Sequence, residues 1–293
     1  MYRIIGRYIK KIVEKAIKSK CHVITPNKAL IAKHGDYLAS LAEKHKANLE
    51  FEASVAGGIP ILRTIKEGLA TNKIFKVYGI LNGTSNYILS EMENLNETFQ
   101  NVLKKAQKLG YAEPGNSKLD LNGEDAFSKV RILSSLSFNT KISKHKCLME
   151  GIEKIELKDI KIANQLNLRI KLLGISEIIN NNLFETVHPC LVSKKSYIGN
   201  VNGVMNAVIL QGKPVGETVL QGEGAGPGPT SSSLLSDLLS ILRGNVKHPF
   251  GVSNKKRKII KCYNLNNYTN SLYLRFEVKD KPGVLSDITN RLA

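Results

Sequence analysis

Between Gly110 and Lys129 the chain reads GYAEPGNSKLDLNGEDAFSK, a run that gathers Glu113, Asp120, Asp125 and Lys129 into one turn-plus-helix unit. From Leu121 to Phe138 apolar and polar residues recur at helical spacing. The helix predicted there carries Asp125 and Lys129, four apart, on one face. Glu113 and Asp120 precede it in a stretch of Pro, Gly, Asn and Ser, from which their side chains can fold back toward that face. Three carboxylates and a lysine concentrated on one such unit read as a catalytic site. A lysine near a second cation in a partly desolvated pocket has its pKa drawn toward neutrality, which fits a proton donor. Lys28, just after Thr25-Pro26-Asn27 at a predicted strand end, is the candidate second cation. The other reading of D-x-x-x-K is a solvated ion pair beside an acidic loop, Asp125 and Lys129 merely holding each other.

Ala106, Gly110, Tyr111, Ala112, Asn116, Asp120, Leu121, Gly123, Asp125 and Lys129 together follow the signature of homoserine dehydrogenases, which the chain resembles. Ser117 stands where that family has proline, so the turn presenting Asp120 lacks one fixed φ. VITPNKAL from Val23, FEASVAGGIP from Phe51, GILNGTSNYIL from Gly79, GEGAGPGPT from Gly222 and a terminal KDKPGVL extend the resemblance over essentially the whole chain.

The resemblance implies NAD(P)H-dependent interconversion of L-aspartate 4-semialdehyde and L-homoserine, in threonine and methionine biosynthesis. Lys129 would donate the proton, and Lys28 would reach the reacting carbonyl and the nicotinamide end of NADP or NAD. Glu113 and Asp125 would hold the substrate's α-ammonium and hydroxyl, with Asp120 supporting the pocket. Gly224 and Gly226 would contact the cofactor from a loop closing over its nicotinamide half. A structural monovalent cation, sodium, would sit at Glu52, Val55, Gly57 and Ile59. The residues alone leave alternatives open: a tight strand-to-helix turn over 52–60, a flexible turn over Gly222–Gly228, and Thr84 as the N-cap of a helix containing Tyr87 and Leu89.

Around these residues the pattern predicts a basic helix (Arg7–Ser19), a strand (His22–Ile24), a helix (Lys28–His45) and a strand (Leu49–Ser54), the alternation of a doubly wound α/β domain. Its G-x-G-x-x-G fingerprint is absent. The resemblance places that motif upstream of Met1, so a truncation of roughly 90 residues is expected. A helix near Pro60, a strand over Lys73–Leu81 and long helices through Phe138 follow. Strands over Arg169–Ser176, Leu183–Pro189, Val204–Gln211 and Val215–Gln221 come next, and then a helix over Thr230–Leu242. Finally Ser271–Val278 alternates as a strand and Asp280-Lys281-Pro282-Gly283 opens a helix, similar to the first unit of an ACT domain. The expected fold class is thus α/β plus α+β, a doubly wound dinucleotide-binding remnant followed by a mixed-sheet domain. Its divisions are 1–55, the C-terminal part of the NAD(P)-binding domain; 56–244, the catalytic and dimerisation domain; 245–270, a linker; and 271–293, a partial ACT domain. A homodimer or higher homo-oligomer and an amino-acid effector at the ACT module are implied by the family. The competing functional reading is a catalytically inactive fragment that only binds an amino acid or dimerises.

Composition bounds these readings. A chain of 293 residues, 42% hydrophobic and 23% charged, is long enough for two cores. The formal charge of +18 raises nucleic-acid binding, but the lysines are scattered, the one dense cluster being Lys255-Lys256-Arg257-Lys258, and Trp is absent. A general lysine bias that favours anionic substrate and cofactor is the preferred explanation, with no nucleic-acid and no membrane partner expected. Cys21, Cys147, Cys190 and Cys262 form no C-x-x-C pair, so neither a zinc site nor a disulfide framework is expected, and a cytoplasmic location fits.

Overall fold

Tyr2–Lys18 forms helix α1, and strand β1 (Val23–Ile24), helix α2 (Lys28–His45) and strand β2 (Leu49–Glu50) complete a small parallel βαβ unit, Val23 opposite Leu49 and Ile24 opposite Glu50. The computed structural model describes residues 2–113, 118–145, 147–244 and 248–292, with side chains from Tyr8 onward. Helix α2 begins where the Asn27 side chain accepts the Leu30 N–H at 2.9 Å, and ends at Lys46, whose left-handed φ of 56° returns its amide to Ala42 and Glu43. Leu30, Ile31, Leu38, Ala39 and Ala42 form its buried stripe.

Next come a short helix, α3 (Ile61–Arg63), a wide turn over Thr64–Gly68, and strand β3 (Lys73–Ile80). Helices α4 (Gly83–Leu95), α5 (Phe99–Lys108), α6 (Lys118–Leu121) and α7 (Glu124–Ser137) follow. Strand β4 (Leu148–Met149), helix α8 (Leu157–Gln165), strands β5 (Leu168–Ile179), β6 (Asn182–Ser193), β7 (Met205–Lys213) and β8 (Gly216–Glu223) and helix α9 (Pro227–Leu242) complete the order. The six-stranded sheet runs β4-β6-β5-β3-β7-β8, antiparallel except for β4 against β6. Its longest pairing, β5 with β6, turns at Asn180-Asn181, both at positive φ, which Asn tolerates and a tight hairpin requires. Helix α7 lies across β3, β5 and β6. A Cβ on Gly174 of β5 would come within 2.5 Å of Val130 of α7, so this glycine sets how closely helix and sheet approach.

Several expectations are corrected. The helix expected from Leu121 starts at Glu124, because Gly123 sits at φ 89° and breaks the run into α6 and α7. The strand expected to Ser54 stops at Glu50, since Glu52–Ser54 coil into a tight turn tied to α3. One compact unit runs to Tyr263 and a second begins at Asn264. Residues 248–263 are not a linker. Arg257, 2% exposed, donates to the Thr140 carbonyl and Ser135 hydroxyl and pairs with Asp36 at 2.9 Å, while Phe250 is 1% exposed against Phe51. The basic cluster therefore contains a buried anchor. In the second unit, Ser271–Val278 forms no strand, for its alternating Leu272, Leu274 and Phe276 find no partner strand among the described residues. Helix α10 (Val284–Leu292) does follow the Pro-Gly turn.

Candidate active site

Asp125 lies in the first turn of α7 and Lys129 one turn further, both on the face that α7 buries against the sheet. The Asp125 carboxylate is 9% exposed and bridges two ammonium groups, Oδ1 standing 2.7 Å from Lys28 Nζ and Oδ2 2.8 Å from Lys129 Nζ. Lys28 arrives as the first residue of α2, past the end of β1, so this one carboxylate ties the βαβ unit to the sheet's helix. Lys129 also donates to the Leu81 carbonyl at 2.6 Å, at the end of β3. The two lysines differ in access: the Lys28 side chain is 42% exposed and that of Lys129 10%.

Asn82 organises the acids. Its Nδ2 donates to Asp120 Oδ1 at 2.7 Å and Asp125 Oδ2 at 3.1 Å, while its Oδ1 accepts the Ser85 N–H at 2.8 Å and so caps α4. Asn82, and not Thr84, is therefore the N-cap. The Thr84 hydroxyl donates instead to the Tyr111 carbonyl at 2.6 Å. Ser85 Oγ donates to the Asp120 carbonyl at 2.7 Å, fixing the turn that carries this acid.

The two carboxyls that share the Asn82 amide are driven in opposite directions. Burial works to raise the Asp125 carboxyl, but the charges of Lys129 and Lys28 and their hydrogen bonds outweigh it and hold the group well below the ordinary carboxylate range. At Asp120, burial raises the carboxyl, the Asn82 hydrogen bond opposes the rise, and the Asp125 charge adds to it. Asp125 is a fixed anion, and Asp120 is the member of the pair that protonates first. Glu113 is exposed, next to residues 114–117; Asn116 and Ser117 lie outside the described residues.

The glycine loop is packed, not free-standing. Gly58 N–H donates to the Glu223 carbonyl at 3.0 Å, and a Cβ on Gly57 would meet the Gly224 carbonyl at 2.5 Å. A Cβ on Gly224 would stand 2.1 Å from the Asn206 amide, so the absence of a side chain there serves internal packing. Gly226, at φ 113°, opens α9, whose first residue is Pro227.

Around the expected cation residues, Glu52 is 2% exposed and its carboxylate accepts the N–H groups of Leu62 at 2.7 Å and Arg63 at 2.8 Å. Burial pushes this carboxyl up to about 7 against the opposing charge of Lys66. The Gly57 carbonyl accepts the Ser233 hydroxyl at 2.6 Å. These oxygens fit a turn that satisfies itself, and among the described residues no group of three His, Cys, Asp or Glu side chains could hold a metal ion. The sequence reading missed the buried network beside it: Glu50 with Lys66 at 2.8 Å, and Asp237 with Arg63 at 3.3 Å and with the Glu52 N–H at 3.0 Å. Its members are spread from position 50 to 237, and no local spacing signals them.

A family model described as homoserine dehydrogenase matches residues 60–239, and one described as homoserine dehydrogenase, NAD binding domain, matches residues 6–52. The homoserine dehydrogenase of Neisseria gonorrhoeae is 42% identical over 97% of this chain and 66% of its own length; that of Pseudomonas aeruginosa is 40% identical over 99% and 68%. A crystal structure of a homoserine dehydrogenase from Thiobacillus denitrificans superposes with a TM-score of 0.88 at 37% identity, covering 97% of this chain and 67% of that one. The chain spans about two thirds of the length of the curated relatives it matches. Agreement in sequence, in fold and across both matched regions places this chain in the homoserine dehydrogenase family.

Proposed function

We propose that the chain carries the substrate site of a homoserine dehydrogenase and interconverts L-aspartate 4-semialdehyde and L-homoserine with NADP or NAD. The observation that carries this reading is the bridge Lys28–Asp125–Lys129, with Asn82 joining Asp120 to it. Reduction of the aldehyde places developing negative charge on one oxygen. Lys129, nearly enclosed and aimed by Asp125 and the Leu81 carbonyl, is the group that gives this oxygen a proton, and the more exposed Lys28 stabilises the charge from the open side. Asp120, Asp125 and Glu113 serve the substrate's ammonium and hydroxyl. Lys28, Gly224 and Gly226 would hold the nicotinamide half of the cofactor, which supplies the hydride when bound.

Three further assignments belong to the same proposal. A monovalent cation would rest on Glu52 and the nearby carbonyls of Val55, Gly57 and Ile59, and no step depends on it. Residues 271–293 would belong to an ACT-type effector site, supported by the Pro-Gly turn that opens α10. Homodimerisation would use the domain of residues 56–244. The rival reading is a module that binds the amino acid without turnover. Titration of the chain with NADPH and with L-homoserine separates the two. Saturable binding of both, with NADPH oxidation on adding the semialdehyde, supports the enzyme. Homoserine binding without NADPH binding supports the rival, and binding of neither overturns both.

A further inference from the structure

Asn82 uses both ends of its side-chain amide, and only one end is needed to start a helix. It is 5% exposed, between β3 and α4. Its Oδ1 accepts the Ser85 N–H and caps α4, a task that Ser, Thr or Asp performs as well. Its Nδ2 has a different use, donating to Asp120 Oδ1 at 2.7 Å and to Asp125 Oδ2 at 3.1 Å. Among the side chains that cap helices strongly, Asn alone supplies two N–H donors beside the capping oxygen. The residue before it, Leu81, offers its carbonyl to Lys129 Nζ at 2.6 Å. Two consecutive residues after β3 thus fix three charged groups of the cluster.

The two acids are not equivalent. Asp125 is already held between the ammonium groups of Lys28 and Lys129. Asp120 has the Asn82 amide as a side-chain donor, and its main-chain carbonyl takes Ser85 Oγ. Burial favours the protonated form of Asp120 and the Asn82 bond opposes it; the Asp125 charge reinforces it, and the charges of Lys129 and Lys28 oppose it. A protonated Asp120 would meet an ammonium with one anion fewer. We infer that Asn82 is a positioning residue for the amino-acid substrate: its paired amide hydrogens hold Asp120 as an anion beside Asp125, so that the α-ammonium enters a preformed pair of carboxylates. The inference rests on the site reading proposed above and extends it to a residue that acts through the two acids.

The test uses the full chain as wild type, Asn82→Ser and Asn82→Asp, with thermal melting and calorimetric titration by L-homoserine at about pH 6 and about pH 8. Each affinity is taken relative to wild type at the same pH, so that ionisation of the ligand cancels. Asn82→Ser keeps a capping oxygen and removes the paired donors. It is expected to melt within about 3 °C of wild type and to lose about tenfold in affinity at the lower pH. That deficit is expected to shrink at the higher pH, where Asp120 regains its charge. Asn82→Asp also caps the helix but sets a third carboxylate against the pair, and is expected to show the same trend with a larger loss. A residue that only caps α4 predicts wild-type affinity for Asn82→Ser at both pH values, and a merely structural one predicts a deficit of equal size at both; either result overturns the inference. If Asn82→Ser fails to fold, a folded Asn82→Asp with wild-type affinity at the lower pH overturns it equally. Wild-type protein that binds no L-homoserine at either pH contradicts the functional reading and this inference with it; wild-type binding that neither variant alters contradicts this inference alone.

Discussion

Asp125 carries the most consequence per atom, because one carboxylate holds two lysines that come from separate parts of the chain. Asp125→Asn leaves the nearly enclosed Lys129 without its anion and should lower stability by about 3 kcal/mol near neutral pH, measured by urea unfolding. Lys28 contributes little of this, being too well solvated. The sign of the pH dependence follows from the depressed carboxyl: its contribution is complete above the ordinary Asp value of 3.8 and fades only as pH falls through the lower folded value. The deficit should therefore persist at pH 4, and a deficit that vanished there would mean the bridge is not formed. Asp125 and Lys129 were legible because i,i+4 spacing alone puts them together. The double duty of Asn82 was not, since it depends on the end of β3 meeting α6 and α7 in space.

Among the elements, helices and strands with clear periodicity lay close to where spacing put them, α2 over Lys28–His45 among them. Errors arose where one residue overrides the pattern, as Gly123 does at the start of α7, or where a pattern lacks a partner, as at Ser271–Val278. A buried lysine shows a further limit of pattern reading. Lys171 on β5, 2% exposed, donates to Asn86 Oδ1 at 3.0 Å, the Val201 carbonyl at 2.6 Å and Asn202 Oδ1 at 3.2 Å. It thereby locks α4 and the 201–202 segment to the sheet. Lys171→Met should cost about 2 kcal/mol at pH 7 by stranding these acceptors. Burial, reinforced by the Arg169 charge, lowers this ammonium from its ordinary 10.5 to about 8. Between those values the unfolded chain binds the extra proton, so wild-type stability should rise relative to the variant as pH climbs from about 8 to 10.5. Melting both proteins across that range checks the sign.

For the whole molecule, composition bounded the reading without identifying a site. Among the described residues no helix is long and apolar enough to cross a membrane, and at least one member of the basic cluster, Arg257, is engaged in internal bonds. The packing of residues 248–263, expected as part of a linker, was not legible, because Arg257 is secured by contacts with Asp36, Ser135 and Thr140 that are remote in sequence. With one compact unit ending at Tyr263, a chain stopped there should melt within about 2 °C of the full chain. A larger drop would show that residues 264–293 support the first unit.

The central claim, that Lys129 protonates the substrate oxygen from within the Asp125 bridge, is tested most directly by steady-state reduction of L-aspartate 4-semialdehyde with NADPH by wild type and Lys129→Ala. The account predicts a fall in kcat of about 10²–10⁴-fold with KM changed far less. A variant that keeps its kcat, or that loses only KM, would contradict it.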